Sequence, residues 1–213
     1  MAVKPTLSAL DVMRDAPVIP VIVLHDVAHA VPLAQALVAG GIRMLEITLR
    51  TPQALACMHA IAAEVPEAVV GAGTVRNADD AQAAARAGAR FAVSPGYTPT
   101  VGQACRDQGL SLLPGVATGS EIMQAQEDGY QQLKFFPAMQ AGGLAMLKAW
   151  AGPFTDAMFC PTGGVTAQNA PEFLQLSNVV CVGGSWLAPN DLIARGDWAR
   201  ITELARQSVS LRA

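Results

Sequence analysis

Lysine is nearly missing from this chain. Only Lys4, Lys134 and Lys148 occur, and acidic residues outnumber basic ones by 17 to 14, leaving a formal net charge of −3. A nucleic-acid surface is normally basic, so no nucleic-acid partner is expected. Histidine and cysteine are sparse too, at three and four residues. Cys57, Cys105, Cys160 and Cys181 are far apart with no C-x-x-C spacing. That excludes the usual zinc and redox motifs and suits buried thiols in a reducing cytoplasm. His25 and His29 have i,i+4 spacing but straddle a helix start with no carboxylate pair nearby, and His59 falls mid-helix. No metal site and no Ser–His–Asp pattern is expected from them. Long apolar runs are lacking as well. Val18 to Leu24 stops at His25-Asp26, too short to cross a bilayer, and Met1 to Ala16 has no signal-peptide pattern. A soluble cytoplasmic protein is the expectation.

What the chain does have is apolar bulk. Hydrophobic residues make up 52% and charged ones 15%, against roughly 25% charged in an average domain. That balance fits central strands covered on both faces, in one domain spanning residues 1–213. After a short leading helix from Leu7 to Asp15, apolar strands alternate with helices. The strands are expected at Pro17–Val23, Arg43–Thr48, Ala68–Gly71, Phe91–Ser94, Ser111–Leu113, Gln131–Phe136, Met158–Cys160 and Val179–Val182. Helices are expected at Val27–Ala39, Pro52–Glu64, Ala78–Ala87, Thr98–Gln108, Gly119–Glu127, Leu144–Ala151 and Thr166–Leu174, with a last one from Trp198. Pro20 cannot donate to a ladder, so a bulge or unpaired position is expected there. Eight such units most simply close into a (β/α)8 TIM barrel. An open doubly wound sheet is the alternative, but Gly71-Ala72-Gly73-Thr74-Val75-Arg76 supplies only two of its three fingerprint glycines.

Turns entering the strands are mostly bare glycine: Gly40-Gly41, Gly88, Gly109, Gly129 and Gly152. Turns leaving them are chemically richer, and in a barrel those gather at the C-terminal face that carries active sites. Lys134 lies near that end of its strand, among Leu133, Phe135 and Phe136, whereas Lys4 falls in a terminal tail and Lys148 on a polar helix face. A strand lysine more often snorkels to the rim, but one buried here must be paired or put to use. The two-residue repeat puts Met44, Glu46, Thr48 and, if extension continues, Arg50 on one strand face. Glu46 and Lys134 then share an interior, either as a structural ion pair or as acid/base and nucleophile. Gly163-Gly164, before a helix expected near Thr166, and Gly183-Gly184-Ser185 bare their backbone N–H groups, the recurring barrel phosphate site. Phosphate at one end, Arg50 for a carboxylate and a lysine between suggest Schiff-base chemistry on a phosphorylated keto acid. Lysine attacks a carbonyl only as the free amine, and at the ordinary pKa of ~10.4 only ~0.04% is free at pH 7. Apolar neighbours such as Phe136 help by desolvation. Trp150, Trp186 and Trp198 read as packing.

Six runs resemble the 2-keto-3-deoxy-6-phosphogluconate (KDPG) aldolase and 4-hydroxy-2-oxoglutarate (KHG) aldolase family. They are the segment from Gly41 to Arg50, that from Val70 to Val75, Ser94-Pro95-Gly96, Lys134-Phe135-Phe136-Pro137-Ala138, Phe159-Cys160-Pro161-Thr162-Gly163-Gly164 and Val182-Gly183-Gly184-Ser185-Trp186. The similarity runs from about Pro17 to Trp198. It implies a metal-free, cofactor-free class I aldolase, assembled as a homotrimer, that splits KDPG into pyruvate and glyceraldehyde 3-phosphate. It further implies Lys134 as the Schiff-base lysine and Glu46 as general acid/base working through water. Arg50 and Thr74 would bind the pyruvyl carboxylate, and Pro95, Phe136 and Thr162 would line the pocket. Gly163, Gly164, Gly184 and Ser185 would hold the phosphate. Met139, Tyr97 and Ala117-Thr118-Gly119 depart from the family pattern, where glutamate, an aliphatic residue and Ser-Thr-Pro are usual. The phosphogalactonate aldolases resemble the chain less, having Pro and Asn where Thr48 and Arg50 stand. A phosphosugar epimerase on the same barrel and a non-catalytic phospho-ligand binder are the competing readings.

Overall fold

The computed structural model describes residues 7–212; Lys4, assigned to a terminal tail, lies outside them. The strands are β1 (Val18–Ile22), β2 (Met44–Thr48), β3 (Val69–Gly73), β4 (Phe91–Val93), β5 (Ser111–Leu113), β6 (Gly115–Val116), β7 (Gln132–Phe135), β8 (Met158–Pro161) and β9 (Val182–Gly184). The helices are α1 (Ala9–Arg14), α2 (Ala30–Ala39), α3 (Ala54–Glu64), α4 (Ala78–Arg86), α5 (Pro99–Asp107), α6 (Gly119–Glu127), α7 (Gly143–Trp150), α8 (Ala170–Leu174), α9 (Asn190–Arg195) and α10 (Trp198–Val209).

Every strand pairing is parallel, in two runs: β5-β4-β3-β2-β1-β9 and β6-β7-β8. Two seams join the runs into a ring. At one, Pro114 breaks a single stave into β5, which pairs with β4, and β6, which pairs with β7. Proline has no N–H to offer a ladder, yet its carbonyl still accepts from Lys134 N at 2.8 Å. At the other seam, isolated bridges Phe159↔Val179 and Thr162↔Gly183 tie β8 and the residue after it to the stave that carries β9. The result is eight staves, as the strand–helix alternation predicts.

The buried apolar side chains divide into a sheath and a lumen. The sheath, between strands and helices, holds outward residues such as Leu45, Ile47, Leu133 and Phe135. The lumen holds Ile19, Met44, Phe91, Val93, Leu113, Cys160 and Cys181, closed at its base by Val12 and Met13 of α1. A capping box starts that helix: Ser8 Oγ accepts from Asp11 N at 3.1 Å, and Ser8 N donates back to Asp11 Oδ2 at 3.1 Å. α1 therefore plugs the N-terminal mouth, and the chemistry is left to the other end.

Several expected elements are corrected. Pro20 makes no bulge; it pairs in register with Gly184, where β1 hands over from β9 to β2. The second helix starts at Ala30 rather than Val27, after a 3-10 turn over Val27–His29. β3 runs on to Gly73, so its two glycines lie inside a strand. A Cβ on Gly71 would strike the Phe91 ring, and one on Gly73 the Glu46 carboxyl. Likewise β9 contains Gly183 and Gly184 instead of ending at Val182. The helix expected from Thr166 starts at Ala170, because Thr166 and Asn169 bond reciprocally: Thr166 N donates to Asn169 Oδ1 and Asn169 N to Thr166 Oγ1. Gly163-Gly164 thus opens onto a turn, not directly onto a helix.

Candidate active site

Strand alternation builds the site. In β2 it buries Glu46 beside Gly73 of β3, whose missing side chain leaves room for the carboxyl. In β7 it turns Lys134 inward, opposite Gly115 on one side and Cys160 on the other. The two charges meet across the lumen: Lys134 Nζ donates to Glu46 Oε1 at 3.4 Å, with the side chains 5% and 3% exposed. Nζ also sits 5.1 Å from the Phe136 ring centroid, within cation–π range. At that burial an unpaired charge would be strongly destabilising, so each group requires the other.

Above this pair opens a cavity of ≈ 340 Å³. Lys134 forms part of its floor; Phe136, Thr162, Gly163 and Gly164 line the side formed by the exits of β7 and β8. Gly184 and Ser185 line it at the exit of β9, and Arg50 reaches it from β2. Eight of the eleven site residues named from the sequence therefore share one cavity wall. Glu46 and Thr74 act through neighbours. Glu46 supports the amine, while Thr74 Oγ1 accepts from Arg50 Nε at 3.1 Å. Thr74 does so from a left-handed conformation, φ 63°, unusual for a β-branched residue and a sign that its hydroxyl position matters. Pro95 is not brought in: it is exposed at the exit of β4 and does not line this cavity. Thr48, grouped with Glu46 by periodicity, donates its hydroxyl to the Ile22 carbonyl at 2.9 Å and braces β2 against β1.

Other lining residues went unnamed in the sequence. Val21 and Val23 line the cavity from β1 and the residue beyond it, and the two-residue repeat from Ile19 was signal enough to find them. Ala188, Pro189 and Asn190 line it at the start of α9, a six-residue helix too short to give a periodic pattern.

The three departures fall into place. Met139 packs over Gly164, with Cγ 2.7 Å from where a Cβ would stand. Thr118 and Glu121 form the capping box of α6, so Ala117-Thr118-Gly119 is helix-start chemistry. Tyr97 donates to Asp128 Oδ2 at 2.6 Å and meets Tyr130 edge-on at 5.4 Å, away from the cavity. Burial, then the Asp128 carboxylate, pushes the Tyr97 phenol well above its ordinary range. Among the described residues, no three His, Cys, Asp or Glu side chains converge as a metal-ligand set.

The family model for KDPG and KHG aldolase matches residues 10–204. The chain belongs to the KDPG and KHG aldolase family. It is 53% identical over 204 residues to the 2-dehydro-3-deoxy-phosphogluconate aldolase of Pseudoalteromonas atlantica, covering 96% of this chain and 95% of that one. Against the KHG/KDPG aldolase of Escherichia coli K12 it is 50% identical, covering 95% of each. Among solved structures, the KDPG aldolase of Legionella pneumophila superimposes with a TM-score of 0.93 at 46% identity, over 95% of this chain and 98% of that one. That enzyme was captured with pyruvate as a covalent carbinolamine. As a member of the family, this chain is a carbon–carbon lyase.

Proposed function

We propose that the chain is a class I aldolase that cleaves KDPG to pyruvate and glyceraldehyde 3-phosphate, with Lys134 as the nucleophile. The observation that carries the reading is the Lys134 amine held 3.4 Å from Glu46 at the floor of the cavity. The free amine adds to the C2 carbonyl of substrate; the carbinolamine loses water and leaves a protonated imine. Glu46, through a water molecule, takes the proton from the C4 hydroxyl. The C3–C4 bond then breaks, its electrons move to the imine nitrogen, and the aldehyde leaves. Protonation of the resulting enamine at C3 and hydrolysis of the imine release pyruvate and restore the lysine.

The remaining residues orient substrate. Arg50, aimed by Thr74, takes the C1 carboxylate. Phe136 and Thr162 flank the imine. Gly163, Gly164, Gly184 and Ser185 receive the phosphate through backbone N–H groups and a hydroxyl. The same arrangement without a phosphate accepts 4-hydroxy-2-oxoglutarate, giving pyruvate and glyoxylate. The family likeness supports a cytoplasmic homotrimer; among the described residues no helix is long and apolar enough to cross a membrane.

The test is a coupled pyruvate assay on KDPG, its galacto epimer and 4-hydroxy-2-oxoglutarate. KDPG is expected to give the highest kcat/KM, and Lys134→Ala to remove all but roughly one part in ten thousand of it. Retention of turnover in Lys134→Ala would favour an epimerase-like mechanism and end this reading.

A further inference from the structure

We infer that Trp186 is a positioning residue for the phosphate end of the cavity. The inference rests on the phosphate assignment to Gly184 and Ser185. β9 is three residues long; it pairs with β1 through residues 18–20, but on its other side only a single isolated bridge, Gly183 to Thr162 just past β8, holds it. Its exit, where Gly184 and Ser185 line the cavity, is thus thinly held by backbone. Side-chain packing supplies the missing constraint. Gly183 faces the lumen, since a Cβ there would strike the Thr162 hydroxyl. Gly184, one residue on, faces the sheath, and a Cβ there would run into the benzo ring of Trp186. The indole therefore stands directly against the backbone of a residue in the cavity wall.

Its far edge is anchored. Trp186 Nε1 donates to Ser208 Oγ at 3.3 Å, and that hydroxyl donates on to the Leu204 carbonyl at 2.8 Å. Ser208 is 2% exposed on α10, and it gives the half-buried indole N–H an acceptor inside the fold. One rigid ring thus braces the β9 exit against the last helix, at the root of the 185–190 loop that forms the cavity wall. Trp186 does not itself line the cavity. Its action is indirect: it sets where the Gly184 and Ser185 donors stand and leaves the lysine and Arg50 alone.

The prediction separates phosphorylated from non-phosphorylated substrate. In Trp186→Phe, and more mildly in Ser208→Ala should the first variant fold poorly, KM for KDPG is expected to rise about five- to tenfold. The inhibition constant of inorganic phosphate should rise by a similar factor. KM and kcat for 4-hydroxy-2-oxoglutarate should stay within about twofold. Unchanged phosphate inhibition in both variants, or an equal loss on both substrates, overturns the role of the indole while leaving the phosphate site standing. Failure of phosphate to compete with KDPG in the unaltered enzyme overturns the phosphate assignment and the inference together.

Discussion

Lys134 and Glu46 illustrate what one buried pair can decide. Removing either leaves its partner's charge in a water-poor lumen, which destabilises by about 3–5 kcal/mol. Glu46→Gln keeps the shape and an acceptor, so its main effect falls on proton transfer. We expect kcat to drop about 10²- to 10⁴-fold, read by the coupled pyruvate assay, with little change in KM. Arg50→Gln should do the opposite. Losing a charge-assisted hydrogen bond, worth about 1.5–3 kcal/mol, raises KM roughly 10- to 150-fold for phosphorylated and non-phosphorylated substrates alike, since both carry the C1 carboxylate. At this scale the sequence was highly legible. Lys134, Glu46 and Arg50 stand out together: a lone strand lysine more often snorkels to the rim, but the strand repeat and the strand exits put all three at one end of the barrel. Pro95 stays outside the cavity lining because motif likeness carries no distance; its backbone stands instead against Gly115, the ladder partner of Lys134.

At the scale of elements, the strands carry the placement and the glycines permit it. β3 has no side chain at Gly71 because the Phe91 ring occupies that part of the lumen. Gly71→Ala forces a methyl into a packed interior, which typically destabilises by about 1–3 kcal/mol; urea unfolding monitored by circular dichroism measures it. α1 is a plug, with Met13 fully buried under the lumen. Met13→Ala should lower stability by roughly 2–5 kcal/mol, while kcat, set at the opposite end, stays within a factor of two. Strand and helix positions followed from apolar runs and glycine stops. What escaped was interior packing: Gly73 and Gly183-Gly184 read as lying beyond their strands because their steric partners, Glu46, Thr162 and Trp186, lie elsewhere in sequence. The Thr166–Asn169 turn escaped for a related reason, since a helical pattern and a reciprocally bonded turn share the same residues. α9 was missed because six residues make too short a pattern.

For the whole molecule, the staves form a closed ring, so stability depends on the sheath as well as the lumen. Between α5 and α6, Tyr97, Tyr130 and Cys105 all titrate upward, each mainly through burial, with the Cys105 thiol pushed up to about 11. The folded state therefore holds these protons more tightly than the unfolded chain, whose thiol and phenols release theirs near ~8.5 and ~10. Their contribution is fully present below those unfolded values and is lost as pH rises through the folded ones. Thermal unfolding followed from pH 8 to 11 should show a decline beginning around pH 8.5 and steepening near pH 10, and Tyr97→Phe should make it shallower. An unchanged slope would mean the phenol does not share in the alkaline loss.

The mechanism as a whole requires a covalent bond from one nitrogen to pyruvate. With only three lysines in the chain, borohydride reduction in the presence of pyruvate, followed by peptide mass mapping, assigns that bond directly. The account predicts one three-carbon adduct per chain, on the peptide containing Lys134, and its loss in Lys134→Ala. An adduct confined to Lys4 or Lys148, or no adduct on folded protein, would contradict it.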